Sequence, residues 1–151
     1  MNKYKQPKTE WKSETWEDRQ IIQKTVRWSP TEGIALLVEK IKDGIYPETF
    51  IYVFAPNMAD ITKPVEIILA KNRRYLFGWK CELKEMDGII GIMTQNEVGI
   101  EGTDERVNLF DYHVKADTIL IQYTTPDGQE EMMKFPLAGF CENYLQLFIS
   151  I

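Results

Sequence analysis

The 151-residue chain carries 18 Lys and Arg against 23 Asp and Glu, a formal net charge of −5, and is 44% hydrophobic and 12% aromatic. Those numbers fit one ordinary globular domain and exclude a disordered chain. They leave no basic face for nucleic acid, and no run approaches the roughly 20 apolar residues of a membrane-spanning helix.

Residues 1–16 form a polar, Lys- and Glu-rich lead with two indoles, Trp11 and Trp16. Its first ten residues contain no apolar signal core. That fits a cytoplasmic protein, or a periplasmic or secreted one whose signal has been removed. Residues 17–151 read as a single β-rich domain.

Gln20 to Trp28 alternates with period two through Ile22, Val26 and Trp28, the signature of a strand. Ser29-Pro30-Thr31-Glu32-Gly33 supplies turn chemistry. Gly33 to Ile41 has helix-compatible composition, but the preceding turn favours a second strand. Thr49 to Phe54 is apolar on both faces, as a central strand would be. A loop from Ala55 to Asp60 leads to strands over Pro64 to Ala70 and Arg74 to Glu82, with the Lys71–Arg74 run marking a hairpin turn. Asp87-Gly88 is a turn signal before a strand from Ile89 to Met93. Thr103-Asp104-Glu105 predicts an N-cap and a short helix near 103–113. Thr118 to Tyr123 and Glu130 to Phe135 flank the hairpin turn Thr125-Pro126-Asp127-Gly128. Leu137, Phe140, Tyr144, Leu145 and Phe148 recur at three and four, predicting an amphipathic helix over 137–148 after Pro136. The expected fold is mainly β: an antiparallel sandwich or barrel-like domain of about eight short strands with two helices.

Catalytic patterns are missing. His113 is the one histidine; its neighbour Asp111 lies two residues away and faces elsewhere on a helix, and no Gly-x-Ser-x-Gly elbow accompanies it. The acid clusters Glu82, Glu85, Asp87 and Glu101, Asp104, Glu105 lack the ligand alternation of a Ca²⁺ loop and read as solvated charge. Gly88-Ile89-Ile90-Gly91 has the wrong spacing for a dinucleotide fingerprint. No enzymatic activity, metal or cofactor is expected. Cys81 and Cys141 lack metal-ligand spacing; they read as two buried free thiols or as one disulfide tying the closing helix to the sheet.

Trp28, Trp79, Tyr52 and Tyr75 fit core packing better than a ligand groove, since large rings bury well on a pleated surface. Trp11 and Trp16 are the better candidates for a partner contact, or for strapping the N-terminal lead down. The loop beginning at Asn57 and Met58 is the other candidate contact.

Three segments share a pattern with a known family. Phe50 to Met58 looks like a strand running into an apolar-Pro loop; Lys63 to Leu69 is similar to the strand that follows; and Pro136-Leu137-Ala138-Gly139-Phe140 looks like a closing Ser-Leu-x-Gly-Phe helix. With Trp79-Lys80-Cys81 at the first cysteine of a short Cys loop, the order of elements resembles the invasion-associated locus B family of bacterial exported proteins. The family's second loop cysteine has no counterpart near Gly88 to Gly91, and its N-terminal cysteines are missing, so its disulfides do not carry over. The resemblance implies a small, non-enzymatic, exported β domain, periplasmic or secreted, associated in some pathogens with virulence and host-cell entry, and acting by protein binding. The alternative is a cytosolic acidic binder, such as an immunity protein or a phage-encoded inhibitor, that neutralises a partner protein through charge complementarity.

Overall fold

A computed structural model describes residues 10–100 and 102–149, with side chains through Leu147. In chain order the elements are β1 (Lys12–Trp16), β2 (Arg19–Ser29), β3 (Glu32–Ile41), β4 (Thr49–Phe54), β5 (Val65–Lys71), β6 (Arg74–Cys81) and β7 (Lys84–Met86). They continue with β8 (Ile89–Gln95), β9 (Glu97–Gly99), β10 (Arg106–Asn108), α1 (Leu109–Lys115), β11 (Thr118–Thr124), β12 (Glu130–Pro136) and α2 (Phe140–Ile149). A six-stranded sheet runs β1-β2-β3-β4-β8-β7, a four-stranded sheet runs β12-β11-β5-β6, and β9 and β10 form a two-stranded ribbon. Every pairing is antiparallel.

Period-two alternation places Ile22, Val26, Ile34, Leu36, Val38, Phe50, Tyr52, Phe54 and Ile92 on one face of the larger sheet. The same alternation turns Val65, Ile67, Leu69, Ile119, Ile121, Tyr123 and Phe135 inward from the smaller one. These side chains belong to one buried cluster, and Phe54 meets Tyr123 edge-on across the gap, at 6.1 Å between ring centroids. Each fully buried aliphatic side chain contributes about 1.5–3 kcal/mol. The segment 33–41 is a strand because its turn partner β2 pairs with it along nearly its whole length. Burying Ile34, Leu36 and Val38 together outweighs the modest helix preference of Ala, Leu and Lys.

Two hairpins close through pairs of positive-φ residues, Asn72-Arg73 (51° and 65°) and Asp87-Gly88 (52° and 81°), whose twist matches that of the strands they join. The described residues contain four strands beyond the eight expected: β1, β7, β9 and β10. The last three have only three residues each, and β1 is exposed at all five positions. Neither length nor polarity gives them an apolar period to read.

The helix expected over 103–113 lies instead at Leu109–Lys115. Its N-cap is Asn108, whose Oδ1 accepts from the Phe110 and Asp111 N–H groups at 3.0 and 3.4 Å. Thr103 uses its hydroxyl on a turn between β9 and β10, accepting from Glu105 N and donating to Ile100 O. Val107, inside the segment expected to be helical, pairs with Val98 in the ribbon.

The closing helix starts at Phe140, not at Leu137. Gly139, at φ 84°, turns the chain, and Phe140 N–H donates to Leu137 O at 3.0 Å. Its buried stripe is Phe140, Tyr144 and Leu147, while Leu145 faces solvent; the side chain of Phe148 lies outside the described residues. Gly139 also makes room for Trp11, whose Cδ1 would lie 3.2 Å from a Cβ there. The Trp11 indole packs on Phe140 and donates Nε1–H to Ala138 O at 2.8 Å. Trp11→Ala is expected to cost about 2–3 kcal/mol, through lost packing and an orphaned carbonyl. Urea denaturation reads this as a lower midpoint at unchanged slope, and a loss under about 0.5 kcal/mol would show that the strap contributes little.

Candidate functional site

The natural place to look for chemistry is His113, and the fold seals it. The side chain is fully buried, stacked at 4.2 Å on Phe50. Its Nδ1 lies 2.7 Å from Leu109 O, which can only accept, so Nδ1 carries the proton. Nε2, 2.8 Å from the Tyr52 hydroxyl, is then the acceptor and Tyr52 the donor. Both ring nitrogens are satisfied inside the core and neither faces a substrate. Burial lowers the pKa of His113 to about 4 from its ordinary 6.5, opposed by the bond to Leu109. Asp111 is exposed on the opposite side of α1 and forms no dyad with it.

Two buried lysines, Lys24 and Lys40, carry structural bonds. Lys40 Nζ donates to the carbonyls of Ile41, Lys42 and Gly44 at 3.0–3.2 Å, winding the β3–β4 loop around one ammonium. Lys24 Nζ donates to Pro136 O at 2.9 Å, between the rings of Trp11 and Phe135. Desolvation lowers the pKa of both lysines, and directed hydrogen bonds are what make such burial tolerable.

Cys81 and Cys141 are free thiols, both partly buried. Cys81 lies on β6 with its Sγ 3.5 Å from Val65 O, and burial pushes the thiol up to about 12. Cys141 stands in the first turn of α2. Among the described residues no group of His, Cys, Asp or Glu is placed to hold a metal ion; Glu101 lies outside them.

The candidate contact residues part company. Trp11 is committed to the strap. Met58 is only 5% exposed, because the turn closed by Met58 N–H to Ala55 O drops its side chain into the core; it is not available to a partner as expected. Asn57 is exposed at the corner of that turn, with φ 61°. Trp28 donates Nε1–H to Lys134 O at 3.2 Å, and Tyr52 is buried, so both serve the core as expected. Trp79 faces inward from the smaller sheet with its buried Nε1 unpartnered, whereas Tyr75 is largely exposed over Gly78. Trp16, 70% exposed at the end of β1, is the indole left for a partner.

Two further large apolar side chains are exposed at the same end of the larger sheet, in a loop that periodicity could not reveal. Ile45 is 70% exposed and Tyr46 55% exposed in the β3–β4 loop, and Ile41 is exposed where β3 ends. The only sequence signal was two apolar residues stranded among Lys42, Asp43, Gly44 and Pro47. This loop joins the β1–β2 turn through Lys42 N–H to Asp18 O at 2.8 Å and is pinned from within by Tyr144 Oη–H to Ile45 O at 2.9 Å. Glu17, Asp18 and Asp43 stand exposed on these two loops with Lys42, and Arg19 at the start of β2 pairs with Glu48 at 2.7 Å. Trp16 stands in the row of Arg19 and Ile41 on the outer face of the larger sheet, while Tyr46 packs edge-on against Phe110 of α1 at 5.9 Å; both flank one braced tip of the sandwich.

Two concavities lie elsewhere. One of about 250 Å³ is walled by Lys63, Glu66, Lys80 and Glu130, whose charges cancel. The other, a trough of about 480 Å³, lies on the outer face of the larger sheet over Gly33, Ala35, Val53 and Ala55. No protein-family model, no curated protein and no solved structure matches this chain.

The buried histidine makes stability depend on pH. The unfolded chain takes up this proton near 6.5 and the folded one near 4, so the unfolded state binds more protons between those values. The stabilisation is complete above pH 6.5 and falls with pH, by about 2 kcal/mol at pH 5 and about 3 kcal/mol at pH 4. Chemical denaturation of wild type and His113→Leu at pH 7, 6 and 5 checks this; the variant is expected to lack that slope. Native Cys81 is expected to react with a disulfide reagent at pH 8 at least tenfold more slowly than the same thiol in urea, which peptide mapping of the labelled chain reads directly.

Proposed function

We propose that the chain acts by binding another protein, presenting the Trp16, Ile45 and Tyr46 tip to a basic surface with an apolar recess. The observation that carries this reading is the pairing of large exposed apolar side chains with an acidic collar on mutually braced loops. Trp and Tyr dominate binding energy where interfaces are best packed. The Lys40 ammonium and the Asp18–Lys42 hydrogen bond fix the loops beforehand, which lowers the ordering cost of association. Glu17, Asp18 and Asp43 favour a positive partner and hasten encounter with it.

The mechanism needs no catalytic residue: the protein covers a site or joins two surfaces. The resemblance to the locus B family supports placing this contact at a bacterial envelope or a host-cell surface. The acidic collar equally suits a binder that occludes the basic active site of a partner.

A photo-crosslinking residue at Trp16 or Ile45, with a control at Glu130 near the opposite end, tests the reading in cells of the source organism. One protein captured from both tip positions and absent from the control is expected. For that protein, Trp16→Ala with Ile45→Ala should weaken binding at least tenfold, and raising salt from 50 to 300 mM should weaken it further. Equal capture from all three positions, or unchanged affinity of the double variant, would overturn the proposal.

A further inference from the structure

The larger sheet has a second face, and its side chains are those of a covered surface. Strand β4 is apolar on both sides: Phe50, Tyr52 and Phe54 point into the core, while Ile51 and Val53 point out. Neighbouring strands extend that outward face. Leu37, Ile51 and Met93 stand directly beside one another in one cross-strand row. The next row is Ala35, Val53 and Gly91, and beyond it Ile89 is 56% exposed and Met93, in the first row, 61%. A strand apolar on both faces ordinarily has a layer packed against each; here the inner layer is the smaller sheet and the helices, and on the outer face the trough lies beside the Ala35–Val53 row.

We propose that this outer face joins two copies of the chain in an isologous, sheet-on-sheet dimer. The patch is self-complementary in shape. A two-fold axis running across the strands, between the two rows, lays each strand over its own copy in reverse. The large row Leu37, Ile51, Met93 then falls on the small row Ala35, Val53, Gly91 of the other molecule, and the reverse contact forms with it. Gly91 is required by the close approach of β8 to β4, since a Cβ there would lie 2.5 Å from Tyr52 O, and the hollow in the small row follows from that.

The charges agree with the same axis. Arg27 lies beyond the small row, opposite Gly33 in the β2–β3 pairing, and has no ion-pair partner among the described residues; Glu39 lies beyond the large row on β3. Reversal brings Arg27 of one copy beside Glu39 of the other, twice per dimer, as an isologous contact requires. Four strands about 4.8 Å apart and four rows about 6.7 Å apart span roughly 500 Å² of sheet. That is about two thirds of the ~800 Å² per partner of a standard interface, the size of a reversible contact. Trp16 lies one row and one strand beyond the footprint on this face, and Ile45 and Tyr46 lie in the loop past the end of β3.

Sedimentation equilibrium on the full chain between 1 and 200 µM tests the proposal. A reversible species of twice 17.7 kDa is expected. Met93→Lys, at a site already exposed enough to accept the change, and Ile51→Lys should each raise the dimer dissociation constant at least tenfold with unchanged circular dichroism. Arg27→Glu should weaken the dimer, and adding Glu39→Arg should restore it. A wild-type chain that stays at 17.7 kDa throughout would overturn the inference, as would a dimer indifferent to Met93→Lys and Ile51→Lys or a charge swap without rescue; a different protein seated on this face would show as the first of these.

Discussion

Everything else in the molecule leans on the way β2 closes one side of the sandwich. Two stacked sheets leave a seam along each side; at one of them β12, the edge of the smaller sheet, turns carbonyls that β11 does not use toward β2, the second strand of the larger. Lys24 and Trp28, two inward residues of β2 that are not aliphatic, donate to Pro136 O and Lys134 O. Gln20, on the same face, donates to Leu147 O of the closing helix at 3.1 Å. One strand thus holds the smaller sheet and the helix, by hydrogen bonds that are directional where packing is not. A buried ammonium is a costly way to do this. It also blocks the edge of β12 from recruiting a foreign strand.

The far seam is handled differently. The edge strand β6 carries Arg74 and Lys80, charges that discourage pairing. Its inward Phe77 stacks on Tyr112 of α1 at 4.9 Å, and α1 in turn is locked to the larger sheet by Tyr52 and His113. The single histidine, the obvious residue to suspect of chemistry, is therefore the rivet between helix and sheet. Its role follows from acceptor and donor counting alone: Leu109 O fixes one nitrogen, and Tyr52 fills the other.

How far the sequence could be read follows from where its information lay. The long strands were legible because Ile22, Ile34, Leu36, Phe50, Ile67 and Ile119 repeat at two, and that period survives any tertiary context. The short helix was displaced because Thr103 and Asn108 are both competent caps, and only the ribbon pairing of Val98 with Val107 decides between them. β1 was invisible for want of apolar residues: its order comes from backbone bonds to β2 and from an indole anchored on the other end of the chain. The tip was hidden for the opposite reason, since Ile45 and Tyr46 are ordinary apolar residues whose exposure is a matter of loop course. Asn57 is exposed and adjacent Met58 buried, since one turn sends neighbours in opposite directions, which no period in the sequence could show.

The Trp11 strap has a consequence for the order in which the protein can be completed. Its acceptor, Ala138 O, is made 127 residues after it. At synthesis rates of about 5–20 residues per second, that is a wait of roughly 6–25 s. Through that interval the first strand has a partner in β2, but neither its indole nor the ammonium of Lys24 has anywhere to bind. The nascent chain therefore holds the seam open until the last helix emerges, and the Trp11 strap, made early, is among the last contacts to be fastened.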